Sequence, residues 1–186
     1  MKQRGQVYKV HNSDIKKRIL FQKDKDACFL TYNILIILDY LKCYSEDTAF
    51  TDYKKLAYLT DFTSSDLLTN IFAKDVSLTI KEQHLLQDSY LNSSSRQNKL
   101  FLVIQSLRQR NIISINFDAK NPLKNSLFLI QQDLIKPITD KKIFKYEYEN
   151  IDKFNKAKPI KGLRGLKLST MLQKIYENKG IKIWEL

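Results

Sequence analysis

Between Ala27 and Tyr44 the chain reads ACFLTYNILIILDYLKCY, and Phe29, Leu30, Asn33, Ile34, Ile37, Leu38 and Leu41 recur at the spacing of one helix face. Leu35 and Ile36 widen that arc, so the pattern predicts a helix buried over most of its surface, central to the fold or to a subunit interface. Asn33, Asp39 and Lys42 interrupt the segment, which therefore reads as a buried helix and not a membrane span. Upstream, HNSDIKKRI offers Asn12 or Ser13 as the cap of a short helix with Ile15, Ile19 and Leu20 on its apolar side. Downstream, SEDTAF is a loop. Thr51 is placed to cap a helix through DYKKLAYLTDF, with Tyr53, Leu56, Ala57 and Leu59 inward. Thr63 and Asp66 have the spacing of a capping box, which predicts a second short helix in TSSDLLTNIFAKD. Two short helices joined by a tight turn are what a helix-turn-helix requires.

Residues 76–92 hold a further helical pattern around Ile80, Leu85 and Leu86, with Thr79 and Glu82 as its capping box. A new helix is then expected over 94–110, introduced by the serines of NSSSRQ, with Leu100, Val103, Ile104 and Leu107 inward. IISINF alternates, placing Ile113, Ile115 and Phe117 on one face; DAKNPLKNS is a loop and LFLI a returning strand. A helix running into a β-hairpin is the end of a winged helix. The fold class expected is therefore mainly α (α+β), a winged-helix-like domain with a β-hairpin wing. After Pro137 the chain becomes lysine-rich with interleaved Tyr and Phe, and a last helix from Lys167 to Asn178 should stop at Gly180. Three units follow: a basic N-terminal segment (1–26), the winged-helix-like domain (27–135), and a basic, aromatic C-terminal extension (136–186).

Charge sharpens that division. The net charge is +12, of which residues 1–26 carry +5, residues 27–135 none and residues 136–186 +7. A polyanion, here expected to be double-stranded DNA, would meet the flanks first. Lys16, Lys17 and Arg18 form one cluster; Lys156, Lys158, Lys161, Arg164 and Lys167 form another, where Gly162 and Gly165 permit close backbone approach. On the helix over 94–110, Lys99 and Arg110 share the outer arc with Gln105, Ser106 and Gln109, and no acid lies between Ser93 and Phe117. Such side chains reach phosphates and purine edges, but Leu102 falls in the same arc and points to protein contact. Phe144, Tyr146, Tyr148, Phe154 and Trp184 are the aromatic anchors available to a partner; packing by the tail is the plainer use of them.

Catalytic chemistry finds little footing. His11 and His84 lie in unrelated contexts, and HExxH, CxxC, GxGxxG and GxxxxGK[ST] are all missing. Glu147, Glu149 and Lys153 could imitate a nuclease carboxylate–lysine set, although solvated charges explain the segment equally well. Cys28 and Cys43 read as two reduced core thiols of a cytosolic protein, and the N-terminus lacks the apolar run of a signal peptide. No cofactor, metal or intrinsic enzyme activity is expected.

The order YNILIILDYLK, TDYKKLAYL, LVIQSLRQRNIISINF and GLRGLKLSTMLQKIYENKGIKIW resembles the small middle component of ABC three-component systems. That group includes the middle subunit of Lamassu-type anti-phage and anti-plasmid defence. The resemblance spans roughly residues 12–184 as an order of elements. It implies a winged-helix accessory subunit bound to an SMC-like coiled-coil ATPase and a nuclease effector, near the ATPase heads, helping to engage DNA and holding the effector inactive until foreign DNA is sensed. ATP and metal would belong to those partners. The competing expectation is a freestanding winged-helix regulator or plasmid replication initiator. That protein would need a basic recognition helix and a basic wing, whereas the wing here offers Lys120 and Lys124 against Asp118.

Overall fold

A computed structural model describes residues 27–75, 77–116, 118, 125–136, 142–157, 160 and 162–184. The short helix expected near residue 15, the wing tip with Lys120 and Lys124, and Phe117 lie outside the described residues. The fold is mainly helical with one small antiparallel sheet. In chain order it comprises α1 (Ala27–Tyr40), β1 (Phe50–Thr51), α2 (Lys55–Ser64), α3 (Asp66–Ala73), α4 (Ile80–Gln109), β2 (Ile113–Asn116), β3 (Ser126–Leu129), α5 (Gln132–Ile135), α6 (Lys145–Lys156) and α7 (Leu168–Ile175). A 3-10 turn over Glu177–Lys179 ends at Gly180, which takes φ +82°, and the Ile181 N–H closes the end by donating to the Tyr176 carbonyl. Among the described residues no helix is long and apolar enough to cross a membrane.

The sheet runs β1-β3-β2. Ile113 pairs with Leu129 and Ile115 with Leu127, so the alternation of IISINF puts both isoleucines on the covered face. Phe50 pairs with Leu127 and Thr51 with Ser126. Thr51 is thus a strand residue and not the cap of the next helix. Its N–H and hydroxyl both donate to the Arg164 carbonyl, and α2 begins four residues later without a side-chain cap.

Two further boundaries differ from the sequence expectation. Ser65, not Thr63, caps α3, accepting from the Leu68 N–H, while the Thr63 hydroxyl donates to the Leu59 carbonyl inside α2. The helix expected to begin at the serines after Asn92 does not begin there: α4 is one helix of 30 residues. Its start is the expected capping box of Thr79 and Glu82. The serines fail to stop it because their hydroxyls have other acceptors. Ser89 and Ser93 donate to Asp61, and Ser95 donates to the Asn92 carbonyl one turn back. The far end closes at Asn111, whose φ of 55° is one Asn tolerates, with the Ile112 N–H returning to the Leu107 carbonyl.

One core joins everything. Leu30, Ile34 and Leu38 of α1 meet Leu56, Leu59 and Phe62 of α2 and Leu100, Ile104 and Leu107 of α4. The same cluster takes in Ile151 and Phe154 of α6, Ile160, Leu163, and Met171 and Ile175 of α7. The described residues after 135 therefore share one core with the helices before them. Of the tail's aromatic rings, Phe154 and Tyr176 lie in that interior.

Candidate functional site

Two polar clusters tie the tail to the helices, and neither was visible in the sequence. In the first, Arg96 on α4 is 1% exposed. It donates to Asp61 Oδ1 at 2.9 Å and to the Ala57 carbonyl at 2.8 Å. Asp61 Oδ2 accepts from Ser89 at 3.0 Å and from Ser93 at 3.4 Å, and Ser89 and Tyr176 bring their hydroxyls to 3.3 Å. Burial pushes the Tyr176 phenol far up, so it stays neutral and acts through hydrogen bonding. The Tyr58, Tyr90 and Tyr176 rings pack around the cluster, with Tyr90 and Tyr176 5.2 Å apart.

In the second cluster, Lys55 is wholly buried and its Nζ donates to the carbonyls of Leu163 (2.9 Å), Arg164 (3.0 Å) and Leu166 (2.8 Å). Three acceptors match the three donors of an ammonium. The Phe50 ring lies 4.3 Å from it. Burial lowers Lys55 to about 7, opposed chiefly by the charge of Asp52. A lysine tuned to neutrality can serve as a base or nucleophile. This one is sealed from solvent behind the turn it holds, which gives it a structural task. That turn is the expected phosphate-binding stretch GLRGL: Gly162 takes φ +69°, and the carbonyls of the loop point inward at Lys55.

The expected DNA contacts divide accordingly. Lys16, Lys17, Arg18, Lys158 and Lys161 lie outside the described residues. Lys156 is exposed but pairs with Asp152 at 2.7 Å. Arg164 is half-buried, with its carbonyl shared by Thr51 and Lys55. Lys167 is exposed immediately before α7. Lys99 is half-buried and Arg110 exposed; eleven residues apart, on α4 and at its C-terminal cap, they share a face. The structure thus brings Lys99 and Arg110 onto one surface and uses the backbone carbonyl of Arg164 inside the fold.

The expected partner anchors divide as well. Phe154 is fully buried against Phe62 (4.8 Å) and Phe72 (4.7 Å), so it is core packing and not a surface anchor. Tyr148 donates its hydroxyl to Asp39, which also accepts from Tyr44, and so fastens α6 to α1. Trp184 keeps its ring half-exposed, while its backbone N–H and carbonyl both bond the Tyr90 hydroxyl. Phe144 stacks on Tyr32 at 5.3 Å, and Tyr32, Ile143 and Tyr146 are exposed at 43%, 59% and 47%.

Tyr146 also lines an open groove of about 740 Å³ with Asp66, Glu149, Asn150, Asp152, Lys153 and Lys156. The lysines are internally compensated: Lys153 contacts Asp66 at 3.2 Å and Asn70 at 2.8 Å. Glu147 and Glu149 are two residues apart on α6 and diverge by about 200°, so they do not converge as a carboxylate pair. Among the described residues no group of three or more His, Cys, Asp or Glu is arranged to hold a metal ion. The groove is a mixed-charge surface with Tyr146 as its aromatic side chain. Comparison with protein-family models, with curated proteins and with solved structures returned no match.

Proposed function

We propose that this chain is a non-catalytic accessory subunit of an SMC-like ATPase–nuclease defence complex, a cytoplasmic winged-helix protein that bridges ATPase and effector and helps engage double-stranded DNA. The observation that carries the reading is the set of exposed apolar side chains near the start of α6, Ile143 and Tyr146, with exposed Tyr32 packed against half-buried Phe144. Aromatic side chains next to satisfied charges are what a protein partner uses as anchors, whereas a phosphate site needs uncompensated cations.

The winged-helix reading rests on element order and on the strand order β1-β3-β2, with α4 leading directly into the β2–β3 hairpin. In that arrangement α4 occupies the place of a recognition helix. Its outer face carries Leu91 and Leu102, 45% and 67% exposed, where a base reader would carry cations. This favours the subunit over the freestanding regulator. DNA contact then falls to Lys99, Arg110, Lys167 and the basic flanks. Co-expression with a coiled-coil ATPase and a nuclease from the same gene neighbourhood tests the reading: the three should co-purify, and Phe144→Ala with Tyr146→Ala should weaken the association. Tight, sequence-selective DNA binding by the lone chain would contradict it.

A further inference from the structure

A second groove, of about 440 Å³, opens where α4 passes the start of α2, bordered by Tyr53, Lys54, Gln97, Asn98, Phe101 and Leu102. The groove on α6 has Asp66, Glu149 and Asp152 in its wall, whereas this lining holds no carboxylate. Asp52, the acid next to it in sequence, is 9% exposed and accepts from the Lys54 N–H. Along α4 no acid occurs between Ser93 and Phe117. Gln97, Asn98, Phe101, Gln105 and Arg108 fall within about 100° of arc, so this acid-free face runs on about 10 Å beyond Phe101. The lining is also held in place. The Tyr53 ring packs on the core and lies 6.4 Å from that of Phe101, which is 41% exposed. Gln97 donates its Nε2 to the Tyr58 hydroxyl at 3.3 Å, which leaves its Oε1 without a partner among the described residues.

We infer that this groove is a stacking site for an unpaired base of single-stranded nucleic acid, with Phe101 as the platform and Lys54 on the adjoining phosphate. A base presents a flat face and an edge of mixed donors and acceptors. Phe101 meets the face with an exposed ring backed by Tyr53, and the Gln97 Oε1 with the exposed Asn98 amide meets the edge with both polarities. Lys54 makes no salt bridge or side-chain hydrogen bond among the described residues, so its ammonium is left for an anion. The groove alone would take a nucleotide; the acid-free face continuing through Gln105 and Arg108 gives a longer strand its path. A base inside a duplex is covered by its neighbours and cannot reach Phe101. Stacking accepts any base, so the site is sequence-tolerant and does not make α4 an operator reader. The inference stands on the lone chain, is independent of the proposed ATPase partner, and leaves Ile143 and Tyr146 free for it.

The test is fluorescence anisotropy of the full chain with a dye-labelled oligothymidylate of about fifteen nucleotides, with a duplex of the same length as competitor. The wild type is expected to bind the single strand, and the duplex to compete less well than unlabelled single strand. Phe101→Ala and Phe101→Leu should each weaken binding at least about tenfold, with helicity unchanged by circular dichroism, while Phe101→Trp retains it. Leucine keeps the apolar bulk and lacks a π face, which separates stacking from an aliphatic contact. A strand carrying bromouracil should photo-cross-link to Phe101 or Tyr53. A wild type without affinity for the strand overturns the proposal. Binding that every Phe101 variant retains assigns the strand to the basic flanks and overturns it too. So does a Phe101→Leu chain that binds like the wild type, or a duplex or mononucleotide that competes as well as the single strand.

Discussion

Arg96 and Asp61, 35 residues apart in sequence, meet at 2.9 Å inside the protein, with the arginine side chain closed to water. The pair fixes α4 against α2 and, through Ser89 and Tyr176, reaches the end of α7. Removing one partner of a buried ion pair leaves an uncompensated charge. Arg96→Met should therefore destabilise the fold by about 3–5 kcal/mol in chemical denaturation. Arg96→Met with Asp61→Leu should recover much of that loss. A double variant as unstable as the sum of the singles would show that the two residues act separately.

Lys55 makes stability depend on pH in a definite direction. Its folded value of about 7 lies below the ordinary 10.5, so between those values the unfolded chain holds the extra proton. Folding is then favoured as pH rises through that window, and the penalty for burying the charge is full below about pH 7. Relative to Lys55→Met, the wild type should gain on the order of 3 kcal/mol between pH 7 and pH 10. A constant difference in unfolding free energy across that range would remove Lys55 as the cause.

The tail belongs to the core, so cutting it off should not leave a stable domain. A chain ended at residue 135 exposes the faces of α2 and α3 that Ile151 and Phe154 cover, and it should lose cooperative unfolding. Phe154→Ala in the full chain should cost about 3–5 kcal/mol. A well-folded 1–135 fragment would restore the division expected from composition.

What could be read in the sequence was the local part. Apolar periodicity marks α1, alternation marks β2, and the Thr79–Glu82 box marks the start of α4, because each depends on neighbours a few residues away. The serines at 93–95 mislead for the opposite reason: whether a hydroxyl caps a helix or lies within one depends on Asp61, which tertiary packing supplies. The stretch GLRGLK holds a second structural role that composition does not report: its backbone carbonyls are directed at Lys55. Of the anchor aromatics, Phe154 sits on the buried face of α6 and Tyr146 on the open one, a difference of eight residues and about 80°.

The two thiols should separate cleanly. Cys28 is exposed, whereas burial pushes the Cys43 thiol up to about 12, against the opposing charges of Arg164 and Lys55. Timed alkylation at pH 8 should modify Cys28 first and Cys43 only on unfolding. Equal rates in the native protein would mean that the β1–β3 region opens readily.

The central claim is that a protein surface, and not a base-reading helix, carries this chain's function. Its most direct test is quantitative co-purification of the tagged chain with a co-expressed coiled-coil ATPase and nuclease of the proposed kind, wild type against Phe144→Asp with Tyr146→Asp. The account predicts a stoichiometric complex for the wild type and its loss in the double variant, with native helicity retained. A wild-type chain recovered alone, or a double variant that still brings down both partners, would contradict it.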